Sequence, residues 1–146
     1  MPNPNIALGV VNRLVTSMTF EDHAELDLTA SYMSREMIRF ARNGNATTYI
    51  PAATGAVPSP EPYQIVTLSI GLLKTQSLSS RYEAQLRANS FLGNATVRPD
   101  VSEGIGAFDL SQVSIENIGE LTFDGQNAVY PLILIAQIDI NNDLWP

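Results

Sequence analysis

The chain has no cysteine, a single histidine (His23) and a single lysine (Lys74). Without cysteine there can be no disulfide framework, zinc-thiolate site or cysteine nucleophile. A serine-histidine-acid triad would have to use His23, which stands among Glu21, Asp22 and Glu25 in a polar run that reads more simply as surface. Those carboxylates and His23 have no recognised metal-ligand spacing either. Basic residues are missing altogether from Pro99 to Pro146, where eight acidic side chains fall; the formal charge of the whole chain is −7. Such a surface repels a phosphate backbone, which disfavours nucleic-acid binding through a basic patch. It is either a solvated acidic face or a wall that nucleic acid passes without sticking. No stretch approaches the roughly 20 apolar residues of a membrane span, and no basic segment followed by an apolar run opens the chain. The expectation is a soluble protein made in a cytoplasm, with no membrane anchor.

Signatures of catalysis are equally scarce. The pairs Asp100/Glu103 and Glu116/Glu120 are not placed across any evident cleft, as glycosidase carboxylates would be. Gly104 and Gly106 lack the Gly, Lys and Ser/Thr context of a phosphate loop. Asn45-Ala46-Thr47 and Asn94-Ala95-Thr96 match a glycosylation pattern, but no secretion signal accompanies them. An enzyme is the least supported class, and no cofactor or metal is implied.

A chain of 146 residues predicts one domain, 1–146, with a core large enough to need no staples. Its centre is Tyr63 to Arg98. From Gln64 to Leu72, Val66, Leu68, Ile70 and Leu72 alternate with Ile65, Thr67, Ser69 and Gly71, a half-buried strand. Leu78, Tyr82 and Leu86 then recur every four residues, the packing stripe of a one-sided helix. Ser77 is one candidate N-cap and the capping-box pair Ser80/Glu83 another; Gly93 is the expected stop. Asn94 to Arg98 returns to period two before Pro99. The helix is expected to lie across a sheet.

Elsewhere, Met1 to Asn5 reads as an extended arm, Val10 to Thr19 as a strand, and Leu26 to Tyr32 as a strand with Asp27, Thr29 and Ser31 on its wet side. Ser34 to Phe40 fits a helical turn and a strand equally. Gly44 to Pro62, punctuated by Pro51, Gly55, Pro58, Pro60 and Pro62, is either a flexible surface loop or a projecting hairpin that docks on another subunit. Asp100 to Phe108 is expected as loop, Leu110 to Glu120 as strand, and Asp124-Gly125 as a hairpin turn. Ala128 to Asn141 is the strongest strand. Tyr130, Leu132, Leu134, Ala136, Ile138 and Ile140 form one face, with Val129, Pro131, Ile133 and Ile135, then Gln137 and Asp139, on the other. Pro131 predicts an edge or bulge near its start.

The succession Ile50-Pro51, Thr54-Gly55-Ala56-Val57, Pro60-Glu61-Pro62-Tyr63, Leu72-Leu73-Lys74-Thr75-Gln76-Ser77-Leu78 and Asn89-Ser90-Phe91-Leu92-Gly93 resembles the tail tube proteins of contractile-tailed bacteriophages, over about Leu26 to Asp100. The resemblance implies a mainly β protein, an antiparallel β-sandwich or barrel flanked by one α-helix with a long projecting loop. Six copies would close into a ring, and rings would stack into a hollow tube inside a tail sheath, between baseplate and tube terminator proteins. DNA would pass through it without specific binding, and the protein, made in the host bacterial cytoplasm, would reside in the virion tail. On that reading 44–62 is an inter-ring loop carried by Ile50, Thr54, Val57, Pro60 and Tyr63, the arm 1–5 touches a neighbour, and the helix face Leu78, Tyr82, Leu86 packs outside the lumen. Asp27, Thr29, Ser31, Gln137 and Asp139, the polar sides of alternating strands, are the lumen-facing candidates.

A tube terminator, a baseplate ring protein, or the tube of a bacteriocin or type VI secretion machine shares much of this pattern. A different class, a monomeric acidic β-sandwich binding module, predicts no self-assembly.

Overall fold

Strict alternation between Gln64 and Leu72 produces the longest pairing in the molecule. In the computed structural model, which describes residues 8–102 and 104–146, strand β6 (Tyr63–Leu73) and strand β9 (Val129–Asp139) run antiparallel from Tyr63 opposite Asp139 to Leu73 opposite Val129. Val66, Leu68, Ile70 and Leu72 of β6 and Leu132, Leu134 and Ala136 of β9 are all buried on one side. The predicted arm at 1–5 lies outside the described residues, as does Glu103.

The remaining strands in chain order are β1 (Ser17–Phe20), β2 (Leu28–Thr29), β3 (Met33–Asn43), β4 (Thr47–Pro51), β5 (Ala56–Pro60), β7 (Phe91–Arg98) and β8 (Phe108–Ile118), with helix α1 (Ser77–Ala88) between β6 and β7. Seven form one antiparallel sheet in the order β2-β1-β7-β8-β9-β6-β3, and β4 and β5 form a separate two-stranded ribbon. The mainly β, antiparallel, one-helix architecture is thus the expected one.

The sheet rolls up, because Phe40 of β3 stacks on Phe108 of β8, three strands away in the order, with ring centroids 4.9 Å apart. It does not close into a barrel. Its edges β2 and β3 are consecutive in the chain, joined by the 3-10 turn Ala30–Tyr32, and β2 is only two residues long. Arg35, Glu36, Arg39 and Arg42 punctuate the other edge with charge, a pattern that resists indiscriminate strand addition.

α1 closes one end of the roll with the predicted stripe. Leu78 and Tyr82 are buried, Leu86 packs half-buried against the core, and the Tyr82 hydroxyl donates to Leu26 O at 2.6 Å. The helix begins at Ser77 itself, so the cap position falls on Gln76, one residue before the expected Ser77 cap; Ser80 forms no capping box, since its hydroxyl donates to Ser77 O at 2.7 Å. Nor is Gly93 the stop. Asn89 ends the helix, and Gly93 lies inside β7 at φ +89°, where the β7–β8 register shifts. A bulge needs that left-handed backbone, which glycine adopts without strain.

Three other expectations change. Leu26 to Tyr32 is not a strand: its alternation is cut into a 3-10 turn (Ala24–Leu26), the short β2 and a second 3-10 turn. Val10 to Thr19 holds a 3-10 turn (Arg13–Val15) before β1. Asp124-Gly125 is a bend inside a long connection from β8 to β9, held by Gln126 N–H donating to Asp124 Oδ1 at 2.9 Å, and not a two-residue hairpin turn. The ambiguous Ser34 to Phe40 belongs to β3, with a bulge at Met37, φ 53°.

Pro131 is not on an edge strand, since β9 runs between β8 and β6. It lies where the β8 ladder runs out beyond Ile118 opposite Leu132, and its carbonyl still accepts from Gly119 N–H at 2.8 Å, so the proline falls near the start of the strand, where a lost N–H disrupts the ladder least.

Two buried phenols give the fold an alkaline limit. Burial pushes the Tyr130 hydroxyl up to about 12, with the Glu83 carboxylate adding and Arg87 offsetting. Burial, with Asp27 adding, raises Tyr82 well above its ordinary value. The unfolded chain releases these protons near pH 10. Stability from both groups is therefore intact below about pH 10 and falls as pH rises above it, the Tyr130 share being lost through about pH 12. The Tyr130 hydroxyl has no hydrogen-bond partner among the described residues, so Tyr130→Phe is expected to leave neutral-pH stability unchanged or raise it by about 1 kcal/mol. The same change should flatten the alkaline decline, as read by urea unfolding near neutrality and near pH 11. A loss of more than about 1 kcal/mol at neutral pH would show that the hydroxyl is bonded.

Candidate assembly surfaces

The segment 44–62 is a projecting hairpin. β4 and β5 pair from Thr47 opposite Pro60 to Pro51 opposite Ala56, which puts Ile50 directly across from Val57 and Thr54 in the turn. Tyr49 is 66% exposed, Ile50 53% and Val57 55%, so these side chains find little cover in their own chain. Tyr63 follows at the root of β6, opposite Asp139 and also largely exposed.

A two-stranded ribbon is marginal by itself, and this one is held at its base. Glu61 N–H donates to Ala46 O at 2.8 Å, and the Asn141 side-chain amide donates to Glu61 O at 2.6 Å. Gln64 reaches Gly44 O at 3.3 Å. Pro51, Pro58 and Pro60 lie on the ribbon's strands, where a nitrogen without hydrogen cannot recruit a further strand. The ribbon is therefore suited to contact through side chains.

A second feature lies on the outer face of the sheet. A hollow of about 620 Å³ is lined by Thr19, Glu21, Thr96, Asp109, Ser111 and Asp139, among others, and no lysine or arginine lines it. Thr96 donates to Asp109 Oδ1 at 3.0 Å, Ser111 to Gln137 O at 3.2 Å, and Gln137 to Asp139 Oδ1 at 3.4 Å. Two lumen candidates, Gln137 and Asp139, thus stand on or beside an anionic concavity. Glu21 and Asp109 join it from β1's end and β8, and no local pattern in the sequence singled them out. The signal was available only as Asp109 and Ser111 alternating with Leu110 along β8.

The other three candidates are elsewhere. Asp27 Oδ1 accepts from Phe20 N–H at 2.8 Å, which spends its carboxylate on the backbone of β1. Thr29 lies on β2, at the far end of the sheet from β9, and its hydroxyl meets that of Ser31 at 3.0 Å. The five residues therefore do not share one patch, because the strand meant to align the first three is not formed.

His23 Nδ1 sits 3.3 Å from Glu25 Oε1. Backbone hydrogen bonding, then the His23 contact, lowers the Glu25 pKa. Among the described residues no three His, Cys, Asp or Glu side chains converge as a metal site, and no helix is long and apolar enough to cross a membrane. No family model matches the chain, and no curated protein matches it.

Proposed function

We propose that this chain is a structural virion protein of the tail tube class: six copies close into a ring, and stacked rings form the hollow conduit through which DNA leaves the capsid. The observation that carries the reading is the clamped, proline-edged hairpin with Tyr49, Ile50 and Val57 exposed. A monomer has no use for an ordered apolar ribbon, whereas a neighbour covering it recovers about 25 cal/mol per Å² of apolar surface. The anionic hollow supports the same reading. A wall in which carboxylates outnumber the one guanidinium at its rim, Arg98 on Thr19, lets DNA pass with little adhesion. The open sheet, with the eleven-residue edge strand β3, leaves ladder groups that ring closure would pair. In this role the protein works beside a tail sheath, a baseplate and a tube terminator, in the virion tail, and does no chemistry.

Negative-stain electron microscopy of concentrated protein, with and without salt to screen acidic repulsion, tests this. Six-membered rings or hollow tubes are expected. Monomers alone, even when seeded with a tail baseplate, would overturn the reading in favour of a monomeric acidic binding module.

A further inference from the structure

A seam along the edge strand β3, between it and the ends of β7 and β8, is a groove of about 590 Å³. The stacked rings of Phe40 and Phe108 form part of its wall, with Met37, Ile38 and Ile105. Arg13, Arg35 and Arg98 line it against Glu36 and Asp100. A fourth cation, Arg42, lies 5.9 and 5.6 Å from the centroids of the two rings. On a chain of formal charge −7, three lining arginines and the neighbouring Arg42 outweigh the two carboxylates there and leave the groove net positive.

The opposite end of β8 carries the complement. The connection from β8 to β9 holds Glu120, Leu121, Phe123 and Asp124, and Phe123 is 82% exposed. The chain's single lysine fixes that connection. Lys74 Nζ donates to Thr122 O and sits 5.4 Å from the centroid of the Phe123 ring. One ring face is thereby held, and the side chain is presented in a set position, which lowers the ordering cost of docking. Phe108 begins β8 and Ile118 ends it, so groove and loop stand about 35 Å apart on one molecule. The loop cannot fill its own groove.

We infer that the acidic loop around Phe123 docks into the arginine-lined seam of a second copy of this chain. Phe123 enters beside the Phe40–Phe108 stack, and Glu120 and Asp124 face Arg13 and Arg35. The contact joins unlike patches, so a pair keeps one free groove, on the copy that donates its loop, and one free loop, on the copy that receives it. Such contacts propagate from copy to copy until they close. This inference rests on the proposed self-assembly and names a contact separate from the hairpin.

The test uses two full-length variants, Phe123→Ser and Arg13→Glu/Arg35→Glu, compared with the unaltered chain by sedimentation velocity and electron microscopy. All the altered side chains are exposed, and circular dichroism checks that both variants fold. Each variant alone is expected to associate at least about tenfold more weakly than the unaltered chain. Their equimolar mixture should regain heterologous pairing of one variant with the other, because the intact loop of one meets the intact groove of the other. Rings or tubes formed by Phe123→Ser as readily as by the unaltered chain would overturn this contact and leave the tube reading standing. An unaltered chain that stays monomeric under every condition would overturn both.

Discussion

Replacing Tyr82 by alanine is expected to remove about 3–5 kcal/mol of stability, the largest loss of any single change considered for this fold. The side chain is fully buried, and its ring ties α1 to the end of the rolled sheet while its hydroxyl reaches Leu26 O at 2.6 Å. Truncation opens a cavity under the helix and leaves that carbonyl without its donor. Tyr82→Phe separates the two effects, with an expected loss of about 1–2 kcal/mol from the hydrogen bond alone. Against a total of about 5–15 kcal/mol for a typical domain, the alanine variant loses a large share of its reserve. Urea unfolding of the three proteins measures both steps. A loss below about 1 kcal/mol for the alanine variant would mean that the helix contributes little to the core.

Shortening the hairpin should have the opposite profile, with assembly abolished and folding kept. β4 and β5 pair only with each other and carry none of the core residues. Joining residue 46 to residue 61 through a short Gly/Ser turn therefore removes no buried apolar side chain. The thermal midpoint is expected to stay within a few degrees, since surface changes shift stability by about 0.5 kcal/mol. The milder Ile50→Ser/Val57→Ser pair, facing residues on one side of the ribbon, should weaken ring or tube formation by about tenfold or more. Tubes of normal length from the shortened protein would rule the hairpin out as an assembly element. A shortened protein that fails to fold would show instead that the ribbon itself supports the sheet.

The elements legible in the sequence are those whose pattern runs unbroken against a long partner. β6 alternates cleanly because both its ladder neighbours, β3 and β9, bury the same face. α1 was legible because Leu78, Tyr82 and Leu86 meet one surface. Leu26 to Tyr32 alternates as well as β6 does, yet only Leu28–Thr29 is strand. There the backbone found other partners: Leu26 N–H donates to His23 O and Asp27 N–H to Ala24 O in a 3-10 turn, while the Asp27 side chain holds β1. Bulges hid the rest. At Met37 and at Gly93 an extra residue flips the alternation, so a period read through either position averages two phases.

Of the surfaces, the hairpin was marked by its prolines, and the anionic last third by its composition. Neither marks a site until strands distant in the chain are adjacent. Glu21, Asp109 and Asp139 share one hollow because β1, β8 and β9 belong to one sheet. Arg13, Arg35 and Arg98 line one groove because the roll brings the edge strand β3 beside the ends of β7 and β8. Alternation and helical period are local, since each residue's face follows from the backbone geometry of its own strand or turn. Strand order, the open seam and the two opposite charges at the ends of β8 depend on which strands pair across long loops, and that is decided by burying all the apolar faces together in one core.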